Sequence, residues 1–151
     1  MKPMRFLSRK LMTHISALGT GTFMVILILI ALLWGRSALF WQLLIGIILV
    51  YAISSPIKWF FHRQRPDRQS HHNWMERYDS STFPSVHANR SALMFVVLSV
   101  FFGMLSMAIL FLAISLVVSY SRVYLERHYW RDVIVGYFIG IAEGVLVVYL
   151  I

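Results

Sequence analysis

Five long apolar stretches, at about residues 18–35, 38–57, 84–102, 104–120 and 133–151, take up most of this 151-residue chain. No soluble chain of this length has enough interior to bury them all. Each is close to the roughly 20 apolar residues that cross a bilayer as a helix, so the solvent for this fold is lipid. The composition agrees, with 59% hydrophobic and 13% charged residues, far from the average of a soluble domain. So short a chain has room for a handful of spans and one domain, residues 1–151, and none for a separate soluble domain.

Ahead of the first stretch, over residues 4–18, Leu7, Leu11, Ile15 and Leu18 recur at helical spacing with Arg5, Arg9 and Lys10 between them. That is the pattern of an amphipathic helix lying in the membrane interface. Lys2, Arg5, Arg9 and Lys10 also resemble the basic start of a signal peptide, but no small-residue cleavage site is evident, and the segment is expected to be retained. The expected fold class is therefore an all-α membrane protein with about five transmembrane helices plus an N-terminal interfacial amphipathic helix. The formal charge of +8, in a chain with such apolar runs, points to anionic lipid as partner and away from nucleic acid. Zero cysteines exclude a disulfide framework and a thiolate metal site, and leave the redox compartment open.

Two polar islands interrupt the apolar chain, one over residues 58–90 and one over residues 121–132. With five spans the islands follow the second and the fourth, which puts both on one side of the membrane, together with the N-terminus, so that they can share a site. Three patterns in them carry chemistry. In the first, Lys58 and Arg65 are two turns apart if the helix continues, with Pro66 ending it. Two cations converging on one point suit a phosphate dianion, and a guanidinium engages it in a bidentate manner. Alone, the pair reads more simply as membrane-anchoring charges.

The second pattern is Pro84-Ser85-Val86-His87 at the start of the third span, with Pro84 suited to the first helical turn. A helix N-terminus presents unpaired amide groups to an anion, and Ser85 adds a hydroxyl. A lone His87 would be an ordinary interfacial histidine. The third pattern is Ser121-Arg122, then His128, then Asp132. With His128 and Asp132 four apart, a helical turn would set the carboxylate against the imidazole and fix its tautomer, so that the other ring nitrogen presents its lone pair.

In this order the three patterns resemble the signature of the type 2 phosphatidic acid phosphatase family, a signature also found in vanadium haloperoxidases and bacterial acid phosphatases. The matching positions are Lys58, Arg65, Pro66, Pro84, Ser85, His87, Ser121, Arg122, His128 and Asp132, and the likeness runs from about Thr13 to the C-terminus. One position departs: Val86 stands where the family usually has glycine. A β-branched residue resists positive φ, so the backbone there is expected in an ordinary region, with the Val86 amide still able to meet phosphate.

The resemblance implies an integral membrane hydrolase of lipid monophosphates or diphosphates that uses no metal or other cofactor. His128 would attack phosphorus in line and form a phosphohistidine, with Asp132 stabilising the imidazolium. His87 would protonate the leaving oxygen and then deprotonate the hydrolytic water. Lys58, Arg65, Ser85, Val86 and Arg122 would hold the phosphate oxygens. Small bacterial members suggest undecaprenyl diphosphate first, in cell-wall biogenesis at the inner membrane. Phosphatidylglycerol phosphate, phosphatidate and lipid A phosphates are the alternatives. The rival classes are a non-catalytic lipid-binding scaffold, which the intact His87, His128 and Asp132 oppose, and a small transporter, for which only Glu143 speaks.

Other features take simpler readings. His71 and His72 read as solvated loop residues, with adventitious metal binding as the alternative. Gly136, Gly140 and Gly144 leave one face of the fifth span bare for close helix packing. A monomer is preferred over a dimer built on that face. Glu143, roughly 16 Å along the helix from Asp132, falls near mid-bilayer and is expected to be protonated or hydrogen-bonded, with proton or substrate handling as a hypothesis. Almost all basic residues lie on the side of the islands, which by the positive-inside rule makes that side cytoplasmic. The resemblance implies the extracytoplasmic face instead, and it is preferred because phosphate binding accounts for several of those cations.

Overall fold

The structure, a computed structural model, describes residues 2–61 and 81–151, and of residues 2–6 the backbone alone. Among them are six helices: α1 (Lys2–Ala17), α2 (Gly21–Leu33), α3 (Ser37–Phe60), α4 (Val86–Phe102), α5 (Leu105–Tyr124) and α6 (Trp130–Leu150). Three of them, α3, α5 and α6, are long and apolar enough to cross a membrane, and α4 is a shorter apolar helix. From Leu7 onward α1 joins α2, across a 45° bend, to make a fourth candidate span. Side chains such as Leu29, Ile48, Leu110, Phe138 and Tyr149 point outward, as they do when lipid is the surrounding solvent.

Helix α4 is the axis of the bundle and packs on α2, α3, α5 and α6. Its run from Ala88 to Met94 is buried without interruption, which no amphipathic surface helix shows. Leu93, Met94 and Val97 meet Met24, Ile28, Leu43 and Val50 in the apolar core. The closest packing is between α4 and α6, where Gly136, Gly140 and Gly144 form the bare face. A Cβ on Gly136 would overlap the Ser85 carbonyl oxygen, and one on Gly140 the Asn89 carbonyl oxygen. The glycine face is thus filled from within the chain, by α4. At the far end Gly103, at φ 63°, closes α4 in the left-handed conformation and turns the chain directly into α5.

Hydrogen bonds between polar side chains join helices inside the bundle. Asn89 donates to Ser54 Oγ at 3.3 Å and to Glu143 Oε1 at 3.4 Å, joining α3, α4 and α6, so Glu143 is hydrogen-bonded as its depth requires. Arg90, 5% exposed, donates from Nε to the Gly19 carbonyl at 2.9 Å and from Nη1 to Tyr51 Oη at 2.8 Å. The first bond satisfies a carbonyl at the α1–α2 break, where helical bonding lapses. Thr20 caps α2 by accepting the Phe23 amide at 3.2 Å.

Three local expectations change. Helix α3 ends at Phe60, short of Arg65, so continuous helix does not set Lys58 and Arg65 on one face. Pro84 precedes the N-cap Ser85, and Val86 is the first residue of α4. His128 lies ahead of α6, whose N-cap is Tyr129, so a helical turn does not join it to Asp132.

Candidate active site

The described residues of all three patterns gather at one end of the bundle, around the N-terminus of α4. Lys58, in the last turn of α3, donates from Nζ to the Ser81 carbonyl at 3.2 Å. The neighbouring Thr82 carbonyl lies 2.8 Å from His128 Nδ1. A carbonyl only accepts, so Nδ1 carries the proton and Nε2 the lone pair. Two consecutive carbonyls ahead of α4 therefore hold the lysine and the histidine.

The Ser85 amide donates to the Asp132 carbonyl at 2.9 Å, fastening the second pattern to the third. Ser85 Oγ is buried and has no hydrogen-bond partner among the described residues, although Ser85 is the N-cap of α4. Its hydroxyl is thereby available to a ligand. The Val86, His87 and Ala88 amides precede the first bond of the helix, from the Asn89 amide to the Ser85 carbonyl. They are the unpaired donors of a helix N-terminus. Glu126 is the positive-φ non-glycine residue of the described chain, at 58°, so Val86 starts the helix in an ordinary conformation.

The connection from α5 to α6 curls back on itself: the Arg127 and His128 amides both donate to the Arg122 carbonyl, at 3.0 and 3.2 Å. That curl turns the chain so that buried His128 faces Thr82. Asp132, fully buried, accepts the Tyr129 amide on Oδ2 at 3.0 Å. As the third residue of α6 it caps the helix start at Tyr129, the residue that follows His128.

Arg122, in the last turn of α5, donates from Nη1 to Ser16 Oγ of α1 at 2.6 Å. A cavity of about 640 Å³ opens here, lined by His87 and Arg122 together with Arg9, Thr13 and Ser16 of α1 and Arg127. The lining sets Arg9, Arg122 and Arg127 against the single carboxylate Glu126, and Arg122, Arg90 and Lys58 all act on His87, so positive charge predominates around the cavity. Such a field favours a multiply charged anion.

Lys58, Ser85, Val86, His87, Arg122, His128 and Asp132 are thus brought to one place, while Arg65, Pro66, His71 and His72 lie outside the described residues. Sequence reasoning missed Ser16, Thr82 and Arg90. Thr82 acts through its backbone and leaves no side-chain signal. Ser16 is one of several polar residues on an amphipathic helix. Arg90 alone gave a sign, as a cation three residues into an apolar helix after His87.

Fold and site together define an all-α, multi-pass membrane protein with a basic, histidine-bearing pocket at one end of its bundle. The chain belongs to the PAP2 superfamily, whose profile matches residues 39–151. Two solved structures share its fold. LpxE from Aquifex aeolicus aligns with a TM-score of 0.80 at 23% identity, covering 95% of this chain and 86% of that one. The first transmembrane PAP2-type phosphatidylglycerolphosphate phosphatase from Bacillus subtilis aligns with a TM-score of 0.74 at 25% identity, covering 95% and 76%.

Proposed function

We propose that the protein is an integral membrane lipid phosphatase that cleaves a lipid phosphate or diphosphate through a phosphohistidine, without a metal. The observation that carries this reading is the bond from His128 Nδ1 to the Thr82 carbonyl. It leaves Nε2 as the nucleophilic nitrogen, at the end of the bundle that also holds the amide-rich start of α4 and the Ser85 hydroxyl.

In the first step the Nε2 lone pair forms the N–P bond with the terminal phosphorus as its P–O bond to the lipid, or for a diphosphate to the lipid phosphate, breaks. His87, which lines the basic cavity, gives its proton to the departing oxygen of the lipid or lipid phosphate. In the second step His87 takes a proton from water as the hydroxide oxygen attacks phosphorus, and the N–P bond breaks to regenerate His128. Asp132 holds the His128 segment at the start of α6. Lys58, Arg65, Arg122, Ser85 and the Val86 amide balance the charge on the phosphoryl oxygens, which is the task a metal performs elsewhere.

Undecaprenyl diphosphate, in cell-wall biogenesis, is the first substrate we propose. The likeness to the Bacillus subtilis enzyme favours phosphatidylglycerol phosphate as the second reading, with phosphatidate and lipid A phosphates after it. We place the protein in a bacterial inner membrane as a single-domain monomer, with its site on the extracytoplasmic face. The test is phosphate release from each lipid by detergent-purified protein in excess chelator. Release that survives chelation and is lost in His128→Ala supports the mechanism, and the preferred lipid identifies the reaction. Folded protein that hydrolyses none of them favours the lipid-binding scaffold.

A further inference from the structure

The superfamily match begins at residue 39, after α1 and α2, yet α1 forms a wall of the candidate active site. Its polar face supplies Arg9, Thr13 and Ser16 to the basic cavity. Among the described residues, three side-chain contacts hold helix α1 on α5 and the turn after it. Ser8 Oγ meets Tyr124 Oη at 2.7 Å, Arg9 pairs with Glu126 at 3.5 Å in the open, and Ser16 Oγ accepts from Arg122 at 2.6 Å. The three differ in kind. The first joins two residues outside the cavity lining, and the second is a solvent-exposed ion pair of little energetic weight. Only the third engages a cation of the phosphate-binding pattern, and Ser16 is 5% exposed.

We propose that Ser16 is a positioning residue, which orients the Arg122 guanidinium toward the substrate phosphate and so makes α1 a working part of the active site. This rests on the phosphatase reading for its substrate, but not for its anion. A guanidinium on a four-bond tether samples many rotamers, and a bidentate grip on phosphate needs one of them. A short bond from the charged Nη1 to a buried hydroxyl selects that rotamer before substrate arrives, so the ordering cost does not fall on binding. Because Ser16 is three residues before Gly19, the bond also ties Arg122 to the α1–α2 break, which Arg90 pins from the other side.

The test uses full-length protein in detergent, with inorganic phosphate as probe by calorimetry and lipid phosphate hydrolysis in parallel. Ser16→Ala is expected to weaken phosphate binding and raise KM about tenfold, the order expected for one hydrogen bond to a charged group. Ser16→Thr, which keeps the hydroxyl, is expected to stay within about twofold of the parent, as is Ser8→Ala, which loosens α1 without touching Arg122. Unchanged phosphate affinity in Ser16→Ala overturns the proposal. So does equal damage from Ser8→Ala, which would mean that Ser16 only docks the helix, or a parent protein that binds no phosphate. If the parent binds phosphate but hydrolyses no lipid while Ser16→Ala still weakens binding, the phosphatase reading fails and the role of Ser16 stands.

Discussion

At the scale of single residues, the site is set as much by main-chain atoms as by side chains. The Thr82 carbonyl orients His128, the Asp132 carbonyl receives the Ser85 amide, and the Arg122 carbonyl gathers two amides of the turn that carries His128. Asp132 adds a side-chain anchor at the Tyr129 amide. Asp132→Ala should therefore act twice. It is expected to destabilise the start of α6 by about 1 kcal/mol, as loss of a helix-end carboxylate does, and to reduce kcat by about a hundredfold, within the range that one positioned acid–base group contributes. Thermal unfolding and single-turnover hydrolysis separate the two effects. Val86 yields the opposite expectation. It opens α4 as an ordinary helical residue packed against the core, so restoring the family's usual glycine with Val86→Gly should lower stability by about 1 kcal/mol. The rate should stay within a few-fold of the parent, as steady-state kinetics would show.

Between elements, the α4–α6 contact has the least slack. Gly140 sits against the Asn89 backbone so closely that Gly140→Ala must push the helices apart. Overpacking of this kind costs about 1–3 kcal/mol, and because the Ser85–Asp132 bond lies at the end of the same contact, activity is expected to fall with the melting temperature in detergent. Glu143 tests whether the polar contact in the middle of the bundle is structural. Glu143→Gln keeps an acceptor for Asn89 and is expected to leave hydrolysis and stability nearly unchanged, whereas Glu143→Leu removes the acceptor and should lose about 1–3 kcal/mol. Loss of hydrolysis in a stable Glu143→Gln protein would instead give this carboxyl a part in proton or substrate handling.

For the whole molecule the open quantity is direction across the membrane. The basic cluster and the proposed substrate face argue oppositely, and α3 separates the two ends of the bundle by roughly 36 Å at the standard helical rise. The chain has no cysteine, so Ser70→Cys in the first polar island and Ser37→Cys at the other end of α3 make clean reporters. With an impermeant thiol reagent on intact cells, labelling at position 70 alone is expected. Labelling at position 37 alone would put the site on the cytoplasmic face and restore the positive-inside reading.

Membrane embedding, all-helical class, the glycine packing face and the gathering of the described motif residues were legible in the sequence, because bilayer thickness and helical periodicity act on local composition. The family signature was legible as well, since phosphate chemistry demands particular side chains at particular spacings. What only the tertiary structure decided are the contacts made by backbone atoms or by helices distant in sequence. The local expectation placed His128 and Asp132 on one helical turn, whereas the structure starts α6 between them and gives the imidazole to a carbonyl 46 residues away. It likewise brings Ser16 to Arg122 across 106 residues. A carbonyl belongs to every residue and a serine on an amphipathic helix is commonplace, so neither leaves a mark in the sequence until the packing of α1 and α4 gives it a partner.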